Sequence, residues 1–533
     1  MPPRIPRRTL AARLVATAAA LTLALTACGG SSGGKSGKQP GDGLTSATAR
    51  TGGSLTVNIV TESRGLDPFT GTLSSVADYS RLNALYDVLV YGDAKTGQVK
   101  PQLAESLATP DGGRTWRLVV RDGVKFSDGT VLDAAAVKFT WDRMADPAAR
   151  SLYGSSLRGV TTRVVDARTL DISLAQVNAR FDQVVAAHLA YIVSPTAYRK
   201  DPQGFARKPV GAGPFTLKEW VQGDHQTYVR NPGYWQPGKP YLDEVTFRTI
   251  TDQQQSFNSV STGGADMAIT LDARNASAAK NAGFDVTEMA LNGPGGVLFN
   301  MAKPPFDDPR ARKALALALD PDAFTKMMYD GQVVTPKSLF AATSTQIDQA
   351  AVPPRAQDKA QAADLVRQLA ADGKTLDFTL LMPASTNSSK TAEYLQQQWN
   401  LIPGISARVS TVEIGALTAK VLVNRDYQAV YYNIATPGEP LLWNTLHSGS
   451  PNNWLGYKSP AADAALEASR AATTPEALKT AYTKLAQVTA DDVVMIPLQE
   501  SITFTYAKPN RFGGLELTTG GAILMDRLGH TGS

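Results

Sequence analysis

The sequence predicts a mixed α/β fold, an α+β region followed by a region of alternating helices and strands, and three observations carry that expectation. Short apolar runs of period two recur from residue 54 onward. From about residue 305, capped segments of helical period alternate with strand-like runs. The composition is globular, with 43% apolar, 8% aromatic and 19% charged residues in a chain of 533. That length suffices for two to four domains at roughly 100–200 residues each.

The first segment is not part of that fold. Arg4, Arg7, Arg8 and Arg13 precede a small and apolar run from Leu14 to Ala27, the pattern of an export signal. The run has 14 residues, fewer than the roughly 20 a bilayer-spanning helix needs, and no later segment comes closer. Leu25-Thr26-Ala27-Cys28 resembles the lipobox of bacterial lipoproteins, in which the cysteine is diacylated and becomes the new N-terminus. Arg7-Arg8-Thr9-Leu10 partly matches a twin-arginine signal, so the export route stays open between that and ordinary secretion. Cys28 is the only cysteine, which excludes an intramolecular disulfide.

Residues 28–53 are rich in Gly, Ser, Lys and Thr and read as a flexible tether. Gly29–Ser36 satisfies a phosphate-loop pattern and Gly30–Gly34 a hydrolase-nucleophile pattern. Both lack the preceding strand and following helix that aim backbone N–H groups at a ligand, so neither is read as a site. Cleavage after Ala27 removes four arginines and no acids, leaving a net charge of about +1 where the whole chain carries +5. No basic body remains to bind nucleic acid.

In chain order, Ser54–Val60 places Leu55, Val57 and Ile59 on one face of a strand. Arg114–Val120 reads as a second strand, and Val164-Val165 with Leu170–Leu174 as a hairpin around Asp166-Ala167-Arg168. Asp308-Pro309 and Asp320-Pro321 are helix starts with proline at the first helical position. The first presents Ala311, Ala314, Leu315, Ala318 and Leu319 on one face; the second presents Phe324, Met327 and Met328, read as core filling. Then come helix 359–372, strand 376–382, helix 390–400, strand 405–414, helix 415–424 and strand 427–435, a series that favours a largely parallel sheet. A single long helix over 460–490 and strands 493–498 and 501–507 close the chain.

Several ordered blocks resemble a known family. Pro101–Ser106, Asp111-Gly112, Trp116, Arg121–Thr130 and Val137–Arg143 resemble the hallmark segment of the bacterial extracellular solute-binding proteins of family 5, the peptide/nickel type. Pro209–Phe215, Arg230–Trp235, Gly238–Asp243 and Phe306–Asp320 follow in the family's order, and the resemblance spans about residues 54–510. It implies a three-lobed periplasmic-binding-protein-like fold (type II, cluster C-like) with a hinge between two main lobes. It further implies a binding protein, not an enzyme, that delivers a solute to an ABC permease.

On that pattern residues 54–90, 205–295 and 496–533 form lobe I, 91–204 an accessory domain and 296–495 the α/β lobe III. The chain crosses between lobes near Asn292–Gly296 and again near Leu498–Glu500, which makes Gly293, Gly295, Gly296 and Gln499 the expected hinge. Asp122-Gly123 and Asp128-Gly129 are read as turn residues, and Trp116, Trp141, Trp220 and Trp235 as packing.

Ligand contacts are expected on loops facing the cleft. Glu62, Ser63 and Arg64 follow the first strand. Tyr432, Asn433, Thr436, Glu439, Trp443, His447, Asn453 and Trp454 follow a strand of the opposing lobe. Peptide-binding relatives carry there an aspartate for the peptide's ammonium; in Tyr431–Pro440 its place falls on Thr436, with Glu439-Pro440 where Asp-Pro is usual. A buried ammonium needs a carboxylate, so Glu62 or Glu439 is the expected substitute if the solute is a peptide. The aromatic and amide residues between Tyr431 and Trp454 equally suit a sugar or another neutral solute. The four histidines stand at least 37 residues apart, so a metal is expected only as part of a bound chelate and no cofactor is called for. The expected protein is an exported monomer, lipid-anchored through Cys28 at the outer face of the cell membrane. The alternatives are a solute sensor or assembly factor on the same fold, and an exported hydrolase, for which no nucleophile, base and orienter are in evidence.

Overall fold

The computed structural model describes residues 43–69, 76–149, 151, 153–329, 334–384, 386–434 and 439–532. Its backbone is organised by one ten-stranded sheet, β1–β10 in chain order: Ser54–Ile59, Phe215–Val221, His225–Arg230, Glu244–Thr249, Met267–Thr270, Asp285–Phe299, Leu376–Pro383, Ile405–Val412, Ala429–Asn433 and Met495–Ala507. The spatial order is β8-β7-β9-β6-β10-β5-β1-β4-β3-β2. β1 runs parallel to β4 and β5, and β7 runs parallel to β8 and β9. The two parallel blocks meet through the long antiparallel pair β6/β10.

Each block is covered as its sequence requires. In lobe III the apolar stripes of helices Pro309–Leu317, Lys359–Ala371 and Thr386–Asn400 pack on one face of the sheet around Phe378, Leu395 and Trp399. Helices Glu439–Leu446, Pro460–Ala471 and Pro475–Asp491 cover the other around Leu442, Leu466 and Tyr482. Asp308 caps the first of these helices through the Arg310 N–H, with Pro309 at the first helical position as its sequence predicts.

On the other side, a four-stranded antiparallel sheet orders Ala104–Ala108, Thr115–Val120, Thr169–Leu174 and Val160–Val164. Helix Ala134–Ala145 packs on it, and Trp141, 1% exposed, donates its indole N–H to the Leu189 carbonyl at 3.1 Å. The core of this unit is continuous with that of lobe I, so Val57, Phe247, Trp116 and Leu170 belong to one apolar cluster. The tether expected over 28–53 is corrected at its C-terminal end: Gly43–Ser46 is helical, Leu44 is buried in the same core, the Arg50 N–H donates to the His530 carbonyl at 2.7 Å, and Gly52 N–H to Tyr241 O at 2.7 Å.

Four elements differ from their sequence reading. The long helix over 460–490 is two, because Ala472 and Thr474 are extended and Thr474 caps a new helix with Pro475 at its first turn. The closing strands are one strand, β10, whose pairing with β6 shifts register at Ser501 and at Leu498. The glycine-rich stretch 293–296, expected only as a crossing, lies inside the strand β6. Met327 is 53% exposed, since helix Pro321–Tyr329 turns Phe324 and Thr325 inward instead.

Candidate functional site

The carboxyl ends of parallel strands are where α/β sheets bind ligands. Here the ends of β1, β4 and β5 point at the lobe crossing from one side, and those of β7, β8 and β9 from the other. Between them β6 and β10 pass from lobe to lobe. Their register runs from Asp285↔Ala507 to Ala290↔Ile502, resumes at Pro294↔Glu500 and Gly295↔Gln499, and shifts again to Gly296↔Pro497. The pair is therefore bulged twice within the crossing, and bulges concentrate bending.

The expected hinge residues lie in that crossing. Gly296 fits because a Cβ there would stand 2.1 Å from the Ile496 carbonyl oxygen. A Cβ on Gly295 would stand 2.3 Å from Asn433 Oδ1. Asn433, Gly295 and Gln499 share one register row across three strands, and Gln499 leaves its Oε1 buried without a partner among the described residues.

On the lobe I side the loop after β1 is tied inward. Glu62 accepts the Trp220 indole N–H at 3.1 Å and the Gly223 N–H at 2.7 Å, which commits both carboxylate oxygens to the β2–β3 hairpin. Ser63 is buried and donates to its own loop at Gly65 O, 2.8 Å. Arg64 is exposed. Beneath the loop, Arg81 donates to Asp78 at 2.8 Å and to the Thr61 carbonyl at 2.9 Å, a fully buried ion pair that holds the loop's first residue.

The lobe III side is arranged otherwise. Tyr432 is half-buried with its ring edge-on to Trp454 at 5.8 Å, and Trp454 in turn packs on Tyr427. Burial pushes the Tyr431 and Tyr432 hydroxyls above the usual phenol range, so both act as neutral groups. Asn433 is exposed at the end of β9. Trp443 is stacked between His447, ring centroids 3.7 Å apart, and Arg470, whose guanidinium carbon lies 3.4 Å from the ring centroid. Asn453 is committed to its own turn, donating to the Tyr457 carbonyl at 2.6 Å and accepting from the Tyr457 N–H at 3.2 Å. Thr436, the Glu439 side chain and Cys28 lie outside the described residues.

Residues 439–470 also touch the unit built on the four-stranded sheet. Asn452 Nδ2 donates to Ser155 Oγ at 2.7 Å, the Ala179 N–H donates to Arg470 O at 2.7 Å, and helix Glu439–Leu446 lies against Phe181–Val184. The structure thus brings Asn433 and Gln499 together at the crossing and keeps the polar groups of Glu62, Ser63 and Asn453 within their own lobes. Ser155, Ala179 and Arg470 escaped the sequence reading because each faces a partner roughly 300 positions away along the chain, as in the separation of 297 between Asn452 and Ser155. Among the described residues no cluster of three or more His, Cys, Asp or Glu has metal-holding geometry, and no helix is long and apolar enough to cross a membrane.

Comparison with known proteins places this geometry in context. Residues 98–455 match the family model described as bacterial extracellular solute-binding proteins, family 5 Middle. The glutathione-binding protein GsiB of Salmonella paratyphi A is 32% identical over 368 residues, 67% of this chain and 69% of the relative. The oligopeptide-binding protein AppA from Bacillus subtilis, solved with a nonapeptide, superposes with a TM-score of 0.80 at 23% identity, covering 91% of this chain and all of the other. NikZ from Campylobacter jejuni, solved with Ni(L-His), gives a TM-score of 0.75 at 18% identity over 88% of this chain and 97% of the other. These last two establish a shared fold.

Proposed function

The chain belongs to the bacterial extracellular solute-binding proteins of family 5, and from that premise we propose that it captures a short peptide between its lobes and hands it to an ABC permease. The observation that carries the reading is the doubly bulged β6/β10 crossing, with parallel-strand ends converging on it from both lobes and Asn452–Ser155 joining them across the mouth. Two lobes linked in this way close around a solute by bending at the bulges, and binding energy shifts the population toward the closed form. Peptide as the solute is supported by the 32% identical glutathione-binding relative. The nickel–histidine complex of a protein with the same fold keeps a chelate as the second reading.

In this reading Gly293, Gly295, Gly296 and Gln499 absorb the bend, and residues 54–90, 205–295 and 496–533 form the lobe against which 296–495 moves. The export signal and lipid on Cys28 hold the protein at the outer face of the membrane. A thermal-shift screen against glutathione, di- to hexapeptides, oligosaccharides and nickel–histidine tests the solute class. A solute at 100 times its dissociation constant adds about 2.7 kcal/mol of stability. Shifts from peptides alone support the reading; a shift from the chelate or a sugar with none from peptides replaces it. Small-angle scattering profiles that coincide with and without a confirmed solute would rule out hinge closure. A Cys28→Ser variant recovered in the medium rather than the envelope fraction supports the anchor.

A further inference from the structure

Glu500 stands at the centre of the crossing, opposite Pro294 on β6, and is 6% exposed. Its hydrogen bond among the described residues comes from the Thr343 N–H at 3.3 Å, a long contact from a lobe III loop. None of the described Lys, Arg or His side chains pairs with it. Arg355 reaches the same edge but gives Nη2 to the Pro497 carbonyl at 3.3 Å. On either side of Glu500, Gln499 Oε1 and Ser501 Oγ are buried without partners. Glu500, at the point where the strand ends converge, thus offers a buried carboxylate that the described residues leave short of donors. A buried carboxylate is costly unless a cation or several donors meet it. Glu62, by contrast, already has an indole and a backbone donor on its two oxygens.

We propose that the Glu500 carboxylate is the anchor for an ammonium group of the bound solute, the partner that a peptide's charged amine requires in this cleft. The proposal rests on the peptide reading and adds the residue and the charge that recognise the peptide. Two sources carry this chemistry, the α-ammonium at the peptide's N-terminus and the side-chain ammonium of a lysine.

The test uses the exported chain and its Glu500→Gln variant, in which the amide oxygen keeps an acceptor for Thr343 N–H while the charge is gone. Three probes are titrated and the bound species read by native mass spectrometry: a di- to hexapeptide pool, the same sequences synthesised with acetylated N-termini and free lysines, and nickel–histidine. The expected result is that E500Q melts within a degree or two of the parent without solute yet loses affinity for the free pool by at least about 30-fold. If the acetylated pool loses binding to the parent to the same extent, the anchored group is the α-ammonium; if only its lysine-containing members still bind, it is the side chain. Equal affinity of E500Q and parent for the free pool overturns the proposal and leaves the peptide reading standing. Equal weakening of E500Q toward free and acetylated, lysine-free peptides also overturns it, as a structural effect. Binding of nickel–histidine with no peptide bound by the parent overturns both.

Discussion

Near the ends of the chain, Asp87 and Asp526 lie 4% and 2% exposed among Tyr234, Trp235 and Lys239, whereas within residues 296–495 a deeply set guanidinium, Arg312, is 6% exposed against backbone carbonyls. Asp87 accepts the Tyr234 hydroxyl at 2.8 Å and the Trp235 indole at 2.9 Å; burial and then the nearby Asp526 push its carboxyl up to about 7. Arg312 donates to Phe306 O at 2.7 Å and twice to Asp492 O, at 2.8 and 3.1 Å, pinning the turn that feeds β10. A carboxylate has a neutral form within reach of ordinary pH; a guanidinium bound to carbonyls does not. Asp87 therefore gives its surroundings a group that changes charge near neutral pH, and Arg312 does not.

The largest effect is expected where lobe I balances a charge it cannot neutralise alone. Arg81→Ala leaves Asp78 buried without its cation and should cost about 3–5 kcal/mol. Scanning calorimetry should show that loss largely recovered in the double variant Asp78→Asn/Arg81→Met. No recovery would mean that the ion pair is not what holds the loop after β1.

Next is the lobe III counterpart. Arg312→Met removes three charge-assisted hydrogen bonds and should destabilise by about 2–4 kcal/mol, by the same amount at pH 5 and pH 8. A loss that changes between those two conditions would erase the contrast between the lobes.

The third prediction sharpens the contrast directly. Asp87 binds its proton more tightly folded than unfolded, so its contribution to stability is full below about pH 4 and is lost as pH rises through about 7. Asp87→Asn has no proton to lose. The stability difference between parent and variant should shrink with rising pH across that window, by at most about 1.4 kcal/mol per pH unit. Urea melts at pH 4.5, 6 and 7.5 that give a constant difference would assign Asp87 an ordinary carboxyl.

The smallest effect concerns the contact that joins the two sides. Asn452→Ala deletes the bond to Ser155 and should weaken the closed form by about 1 kcal/mol, a several-fold larger open fraction in small-angle scattering, while leaving the melting of either lobe in place. An unchanged open fraction would mean that the mouth is held by Ala179–Arg470 and the packed helices alone.

How much of this the sequence disclosed depends on the range of the interaction. Asp308-Pro309 announces its helix because the cap and the proline act on adjacent residues. Thr474-Pro475 uses the same device and was passed over inside an unbroken alanine-rich helical period, where Ala472 and Thr473 look like helix interior. The glycine run marks where the chain crosses from one block of the sheet to the other, yet it does not show that 285–299 and 495–507 are single strands, since glycine and proline usually end strands. Glu62 looked free for a ligand because Trp220 and Gly223, which occupy it, lie 158 and 161 positions away. Glu500 is legible in the sequence only as part of the Leu498–Glu500 crossing, because its burial and its lack of a cation depend on residues distant along the chain.

Residues 296–495 join the rest of the chain through two adjacent strands, β6 and β10, and the two described ends pair with each other through Arg50 and His530. Fluorophores, surface linkers or fusion partners placed at both described ends sit beside one another. On the closure proposed above, a distance reporter built from the two ends would be blind to the motion, and an immobilised end would leave residues 296–495 as the moving arm. A reporter for this molecule needs one label on lobe III, at an exposed site such as Met327 or Leu401, and the other on lobe I.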